Sequence, residues 1–215
     1  MIIAPSILTA DFCELGKVLD EAVDAGINWF HLDVMDGNWV TNKTITVGPA
    51  VIKSIRKRFG TKVFMDCHLM ITNAEKTWQQ YVDAGVDLVI AHVEAVSDFS
   101  KLCDSLHSAN VQAGLVFNPA TSVNEVLPHL NKLDLVLVMS VVPGKGGQSF
   151  MPEVEEKIRI LRSAIDEQIS EGGIKAHNIA MVKEWGVEVA VVGSGLINNN
   201  ASISENLAEI ELALK

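Results

Sequence analysis

Short apolar runs rich in β-branched residues alternate with longer amphipathic segments along the whole chain. The runs have the length of buried strands, and the amphipathic segments have the length of surface helices. The pattern predicts eight strands, at residues 2–8, 29–35, 63–70, 88–93, 112–117, 135–141, 168–171 and 187–192. It also predicts eight helices, which begin near Asp11, Pro49, Asn73, Asp98, Ser122, Pro152, Ile174 and Ser204.

Eight strand–helix units favour an α/β protein in which helices cover a parallel sheet. A (β/α)8 TIM barrel closes such a sheet without free edges, so we expect a single barrel domain over residues 1–215. A doubly wound open sheet is the alternative. The first strand, however, is not followed by the Gly-x-Gly-x-x-Gly fingerprint that is typical of that fold.

Composition and charge narrow the function. The chain has 215 residues, of which 48% are hydrophobic, and 17 basic against 27 acidic residues give a net charge of −10. Such a charge argues against nucleic acid or an anionic membrane as the partner, although local donors could still bind an anionic substrate. The three cysteines form no Cys-x-x-Cys pair, and the sequence contains neither a signal-peptide pattern nor a transmembrane run. We therefore expect a cytoplasmic protein.

Polar residues lie in phase on two neighbouring strands. His31, Asp33 and Met35 share one face of the second strand. On the third strand, Asp66, His68 and Met70 share one face in the same way, and we expect both sets to face the same cavity. Imidazoles and carboxylates on adjacent strands can hold a divalent metal such as Zn, Mn or Fe. Hydrogen-bonded polar residues of the core are the alternative, but two histidines and two aspartates in phase favour a site.

The fourth strand ends in a similar pair, His92 and Glu94. These residues either support the metal site from behind or form a buried hydrogen-bonded pair, and the sequence leaves both interpretations open.

Glycine-rich loops follow the last three strands. They contain Gly144, Gly146 and Gly147 after the sixth strand, Gly172 and Gly173 after the seventh, and Gly193 and Gly195 after the eighth. Glycine lets backbone N–H groups approach an anion closely, and TIM barrels often bind phosphate in the loops after their last strands. We therefore expect a phosphate site in these loops.

A metal beside a phosphate site indicates proton abstraction next to the carbonyl of a phosphorylated sugar. Inverting a carbon requires an acid/base group on each face of the planar intermediate. Asp33 is one candidate, and Glu171 at the end of the seventh strand is the natural second.

With these residues in place, the sequence resembles the ribulose-phosphate 3-epimerase family over nearly its whole length. Two elements carry most of the resemblance: His-Leu-Asp-Val-Met-Asp-Gly from His31 to Gly37, and Asp-Cys-His-Leu-Met from Asp66 to Met70. Other stretches also match, at residues 3–8, 10–12, 92–94, 118–121 and 143–150.

The resemblance implies a metal-dependent enzyme that interconverts D-ribulose 5-phosphate and D-xylulose 5-phosphate through an enediolate. It implies one divalent ion (Zn, Mn, Fe or Co) bound by His31, Asp33, His68 and Glu171, with Asp33 and Glu171 as the acid/base groups. It also implies a homo-oligomer, often a dimer or hexamer, and a set of substrate-contacting residues: Ser6, Met35, His68, Met70, Met139, Gly146, Gly147, Gly172, Gly173, Gly193 and Ser194.

The chain departs from the family pattern at several positions. Glu171 stands where the family has aspartate, so its carboxylate lies one methylene further out. Val142 and Lys145 replace an asparagine and an aromatic residue, while Asn38 and Thr41 replace a histidine and a proline. Two alternatives therefore stay open: a 3-epimerase for another ketose phosphate, such as a ketohexose 6-phosphate, or a weakly active paralogue that binds a sugar phosphate.

Overall fold

Eight parallel strands form one sheet that curls into a barrel in a computed structural model of the chain, which describes residues 1–165 and 168–215. The strands are β1 (Ile2–Pro5), β2 (Trp29–Met35), β3 (Phe64–Met70), β4 (Leu88–His92), β5 (Gln112–Phe117), β6 (Leu135–Val138), β7 (Gln168–Glu171) and β8 (Val189–Val192). From β2 to β8 each strand pairs with the next one in sequence, and β8 pairs with β1. A parallel bridge between Ser6 and His31 joins β1 to β2, so the predicted (β/α)8 barrel is confirmed.

Seven α-helices lie in the part of the chain that the structure describes. They are α1 (Leu15–Asp24), α2 (Pro49–Phe59), α3 (Ala74–Ala84), α4 (Phe99–Ser108), α5 (Glu155–Ala164), α6 (Ala176–Glu184) and α7 (Ile203–Ala213). Local signals explain several of their ends. Ser202 caps α7 in a capping box with Glu205, Asp98 accepts a hydrogen bond from the Lys101 N–H in α4, and Gly85 ends α3 with a φ of 96°.

The helix predicted near Ser122 does not form. Two 3-10 segments, Val123–Glu125 and Leu127–Lys132, connect β5 to β6 instead. Pro128 lies within this short connection, and proline has no N–H for a helical hydrogen bond and crowds the preceding turn. The first strand is also shorter than predicted, because residues Ile7–Thr9 form a 3-10 turn.

Strand periodicity divides the core into two layers. One set of side chains fills the barrel interior, including Ala4, Ile90, Leu137 and Val189. The alternate positions pack against the helices, as Leu32 and Val34 of β2 do. A side chain's position in this alternation therefore decides whether it reaches the cavity at the carboxyl ends of the strands.

None of the helices in residues 1–165 and 168–215 has the length and apolar character needed to cross a membrane.

Candidate functional site

A cavity opens at the carboxyl ends of the strands. It is lined by the substrate-contacting and metal-binding residues expected from the sequence, except Glu171: Ser6, His31, Asp33, Met35, His68, Met70, Met139, Gly146, Gly147, Gly172, Gly173, Gly193 and Ser194. Strands β2 and β3 supply the carboxylate and imidazole groups, whereas the loops after β6, β7 and β8 supply the glycines. The cavity thus has one wall of titratable groups and one of exposed backbone.

Asp33 occupies the centre of the titratable wall. Its Oδ1 atom lies 3.3 Å from His31 Nε2 and 3.2 Å from His68 Nδ1. Its Oδ2 atom accepts a hydrogen bond from Ser6 Oγ at 2.5 Å. Burial alone would raise the pKa of Asp33, but the two histidines lower it well below its usual value. Asp33 is therefore an ionised carboxylate held by three neighbours.

His31 is oriented from the opposite side of its ring. Its Nδ1 atom lies 2.6 Å from Asp66 Oδ1, and Asp66 Oδ2 accepts a hydrogen bond from Trp29 Nε1 at 2.5 Å. Burial disfavours the charged imidazole, but the carboxylates of Asp66 and Asp33 outweigh it and raise the pKa of His31 to about 10. Asp66 is in phase with the site, as the sequence predicts, but it lies behind His31 rather than at the cavity wall.

The ligand atoms of His31, Asp33 and His68 lie within 4.8 Å of one another, and all three residues are buried. Two imidazoles and one carboxylate suit Zn²⁺ and other transition-metal ions, and catalytic metal sites commonly use three protein ligands and leave positions open for substrate. This donor set fits the divalent ion expected from the sequence.

Glu171 does not join this group. In β7 it pairs in register with Val138 and Ala190, which belong to the layer between barrel and helices. Its carboxylate is fully buried and does not line the cavity. Neither oxygen makes a hydrogen bond of good geometry, although the Ser140 hydroxyl and the Ser140 and Gly172 N–H groups lie near and favour its charged form. Burial accordingly raises its pKa well above the usual value. From the sequence, Glu171 is expected to bind the metal, but the structure places its side chain on the opposite face of β7. Side chains alternate along a strand, and here the preceding residue, Ser170, points into the barrel.

The expected phosphate wall is built from loops that brace one another. Asn42, in the loop after β2, donates to the Gly144 carbonyl at 2.8 Å. Gln148 donates to the carbonyls of Val142 and Lys145 within the loop after β6. Gly144 has a φ of 125°, and a Cβ there would lie 2.5 Å from Asn42 Oδ1, so this close contact requires glycine.

Other cavity residues were not expected from the sequence. They include Thr9, Gln148, Ile174 and Lys175, all of which lie in segments that directly follow strands. The sequence does mark these segments as loops at the active end of a barrel. It does not indicate which of their side chains turn inward.

Comparison with known proteins identifies the family. The model of the "Ribulose-phosphate 3 epimerase family" matches residues 2–197. The chain belongs to this family. A ribulose-phosphate 3-epimerase from Synechocystis is 41% identical over 206 residues, covering 92% of this chain and 88% of the relative. One from Escherichia coli is 38% identical over 203 residues, covering 92% and 89%.

Solved structures with low sequence identity share the fold. A 3-hexulose-6-phosphate synthase superposes with a TM-score of 0.76 at 15% identity and full coverage of both chains. A 3-keto-L-gulonate-6-phosphate decarboxylase from Vibrio cholerae gives 0.74 at 12% identity, covering 100% of this chain and 96% of the decarboxylase. At such identities the likeness supports the barrel architecture alone.

Proposed function

We propose that this member of the ribulose-phosphate 3-epimerase family interconverts D-ribulose 5-phosphate and D-xylulose 5-phosphate. The observation that carries the proposal is the position of Asp33, whose ionised carboxylate lies at the cavity wall between His31 and His68. This carboxylate is suited to accept the proton from C3 of a bound ketose phosphate.

The ion-binding group would be His31, Asp33 and His68. A divalent ion bound there, whether Zn, Mn, Fe or Co, would polarise the ketone and stabilise the negative charge of the enediolate. Ser6 holds the Asp33 carboxylate through Oδ2, and Met35, Met70 and Met139 line the cavity with apolar surface that limits water. The glycine loops after β6, β7 and β8 would bind the phosphate through backbone N–H groups.

Glu171 is our proposed second proton carrier, and its placement sets a requirement. Its carboxylate faces the helix layer, so the end of β7 must turn before Glu171 can protonate the intermediate on the face opposite Asp33. Two facts support this role: the next two residues, Gly172 and Gly173, line the cavity, and burial of the carboxylate in its outward position raises its pKa despite the neighbouring donors. A one-residue change in strand register exchanges the two faces of a strand.

A deuterium experiment tests both carriers. Purified protein supplied with a divalent metal in D₂O should convert ribulose 5-phosphate to xylulose 5-phosphate and place deuterium at C3 of both sugars. Deuterium in ribulose 5-phosphate without xylulose 5-phosphate would mean that Asp33 acts alone. Absence of any exchange would overturn the proposed function. Asp33→Asn is the matched negative variant.

Substrate choice can be measured on the same preparation. We expect a higher kcat/KM for ribulose 5-phosphate than for ketohexose 6-phosphates. A preference for the longer sugar would show that the replacements at Val142 and Lys145, both at the cavity wall, have changed the specificity.

A further inference from the structure

A buried chain of hydrogen bonds leads from His68 away from the cavity. His68 Nε2 lies 2.8 Å from Nε2 of His92, the last residue of β4. His92 Nδ1 lies 3.2 Å from Glu94 Oε2. Both imidazoles are buried, and His92 does not line the cavity. His92 therefore acts on the site only through His68.

The far end of this chain fixes the direction of its hydrogen bonds. The Glu94 carboxylate accepts hydrogen bonds from the Asn118 N–H at 2.8 Å and from Thr121 Oγ1 at 2.5 Å. Burial opposes its charge, but His92 and these donors outweigh burial and lower the pKa of Glu94 to about 2. An ionised carboxylate only accepts hydrogen bonds, so the proton of a neutral His92 must be on Nδ1.

The remaining protons follow in order. With its proton on Nδ1, neutral His92 presents an acceptor at Nε2, so His68 must donate from its own Nε2. His68 Nδ1, the atom that lies 3.2 Å from Asp33 Oδ1, is then the nitrogen that would supply its lone pair to an ion bound beside the Asp33 carboxylate. Asp66 lies 2.6 Å from His31 Nδ1 and orients that ring so that its Nε2 faces Asp33.

We propose that Glu94 and His92 are positioning residues that hold His68 in its Nε2–H tautomer, so that the Nδ1 lone pair faces the ion-binding group. The inference depends on the proposed function only to explain why the tautomer matters, since the tautomer itself can be observed without substrate. Trp39 packs against the His92 ring, with centroids 4.0 Å apart, and holds it from the loop after β2.

Nitrogen NMR of the Zn²⁺-loaded protein tests the tautomer directly, because a bound ion removes the competition from the Asp33 carboxylate for a proton on His68 Nδ1. With ¹⁵N-labelled histidine, two-bond ¹H–¹⁵N spectra should show the proton of His68 on Nε2 and that of His92 on Nδ1. A proton on His68 Nδ1 would overturn the proposal, and this measurement needs no substitution that could disturb folding. It is also independent of epimerase activity.

Substitutions at His92 test the consequence for metal binding. His92→Leu removes the acceptor and should weaken Co²⁺ binding, followed by its visible absorption, by about 10- to 100-fold. His92→Gln retains a carbonyl acceptor and should recover most of the affinity. His107→Gln, at an exposed histidine 2.8 Å from Asp134, is the matched control and should leave the affinity unchanged.

The outcomes separate this inference from the proposed function. Unchanged Co²⁺ affinity in a folded His92→Leu variant would refute the positioning role even if the protein epimerises ribulose 5-phosphate. The expected tautomers and affinity loss in a protein without epimerase activity would support positioning and refute the function.

Discussion

Ser170 and Glu171 are adjacent in β7 but lie in different layers of the molecule. Ser170 pairs with Leu137 and Val189 in the barrel interior, whereas Glu171 pairs with positions in the helix layer. Both are buried, and the Ser170 hydroxyl has no hydrogen-bond partner. The Glu171 carboxylate makes no hydrogen bond of good geometry, and the nearby donors of Ser140 and Gly172 offset its burial only in part. This arrangement leaves unsatisfied polar atoms at the strand end next to the cavity, which costs stability.

Glu171→Met should therefore stabilise the metal-free protein. Replacing a buried carboxylate whose burial is offset only in part with an apolar side chain of similar length should raise the free energy of unfolding by about 1–3 kcal/mol. Because burial raises the pKa of Glu171, the native state holds its proton more tightly than the unfolded state does. Wild-type stability should therefore decrease as the pH rises above the usual glutamate pKa of 4.5, and the gain from Glu171→Met should grow with pH.

Urea unfolding at a series of pH values above 4.5 measures this gain. Glu209→Met, at an exposed position of α7, is the control and should show no comparable gain.

The same Glu171→Met protein should no longer form xylulose 5-phosphate, while Asp33 still exchanges the hydrogen at C3 of ribulose 5-phosphate with solvent. Unaltered epimerisation would exclude Glu171 as the second proton carrier.

The barrel could be predicted from the sequence because its signals are local and repeated. Apolar runs of strand length recur eight times, and period two places His31 and Asp33 together on one face of β2, as the structure has them. The α-helix predicted for the connection after β5 was wrong, because a single proline, Pro128, outweighs the helical pattern around it.

The position of Glu171 could not be predicted because β7 gives no clear alternation. Its sequence Gln-Ile-Ser-Glu places polar residues at three of four positions, so the hydrophobic pattern does not set which face enters the barrel. The contact between His68 and His92 could not be predicted either, because the two residues lie on different strands. The sequence left His92 either as support for the metal site or as part of an ordinary buried pair. Only the closing of β3 against β4 brings the two rings together.

Ser6→Ala should reduce catalysis more than binding. The Ser6 hydroxyl donates to Asp33 Oδ2 and accepts a hydrogen bond from the Leu8 N–H at 3.2 Å, so it fixes the orientation of the carboxylate. A hydrogen bond to a charged group contributes about 1.5–3 kcal/mol, which corresponds to a loss of roughly 10- to 100-fold in kcat. Steady-state kinetics of Ser6→Ala would measure it, and Ser6→Thr should retain part of the activity. An unchanged kcat in Ser6→Ala would contradict this role.

Asp66→Asn should weaken metal binding through His31. The substitution removes the charge that orients His31 Nδ1 but keeps the shape of the side chain beside Trp29. Loss of such a supporting carboxylate typically costs about 10- to 100-fold in metal affinity. Competitive titration with a chelator measures the change. Asp134→Asn is the control, since Asp134 contacts the surface residue His107; equal affinities for Asp66→Asn and wild type would contradict the prediction.

Asn42→Ala should raise KM with little change in kcat. The Asn42 amide links the loop after β2 to the carbonyl of Gly144, which lines the cavity. Removing one neutral hydrogen bond costs about 0.5–1.5 kcal/mol, so KM should increase by roughly 2- to 10-fold. Gln148→Ala removes the hydrogen bonds to the Val142 and Lys145 carbonyls within the loop after β6, so it should also raise KM. A decrease in kcat without a change in KM would instead place Asn42 in the chemical step.

Asp36 should make the protein sensitive to acid. Its carboxylate accepts hydrogen bonds from the Thr72, Trp39 and Asn38 N–H groups, which outweigh burial and lower its pKa from 3.8 to about 2. The unfolded state therefore binds a proton at higher pH than the native state, and the stabilisation from Asp36 is present above pH 3.8 and lost as the pH falls toward about 2. Urea unfolding of wild type and Asp36→Asn should show a stability difference that narrows over this interval. Asp24→Asn, an exposed position of α1, serves as the control, and a difference that stays constant with pH would show that Asp36 acts through shape rather than charge.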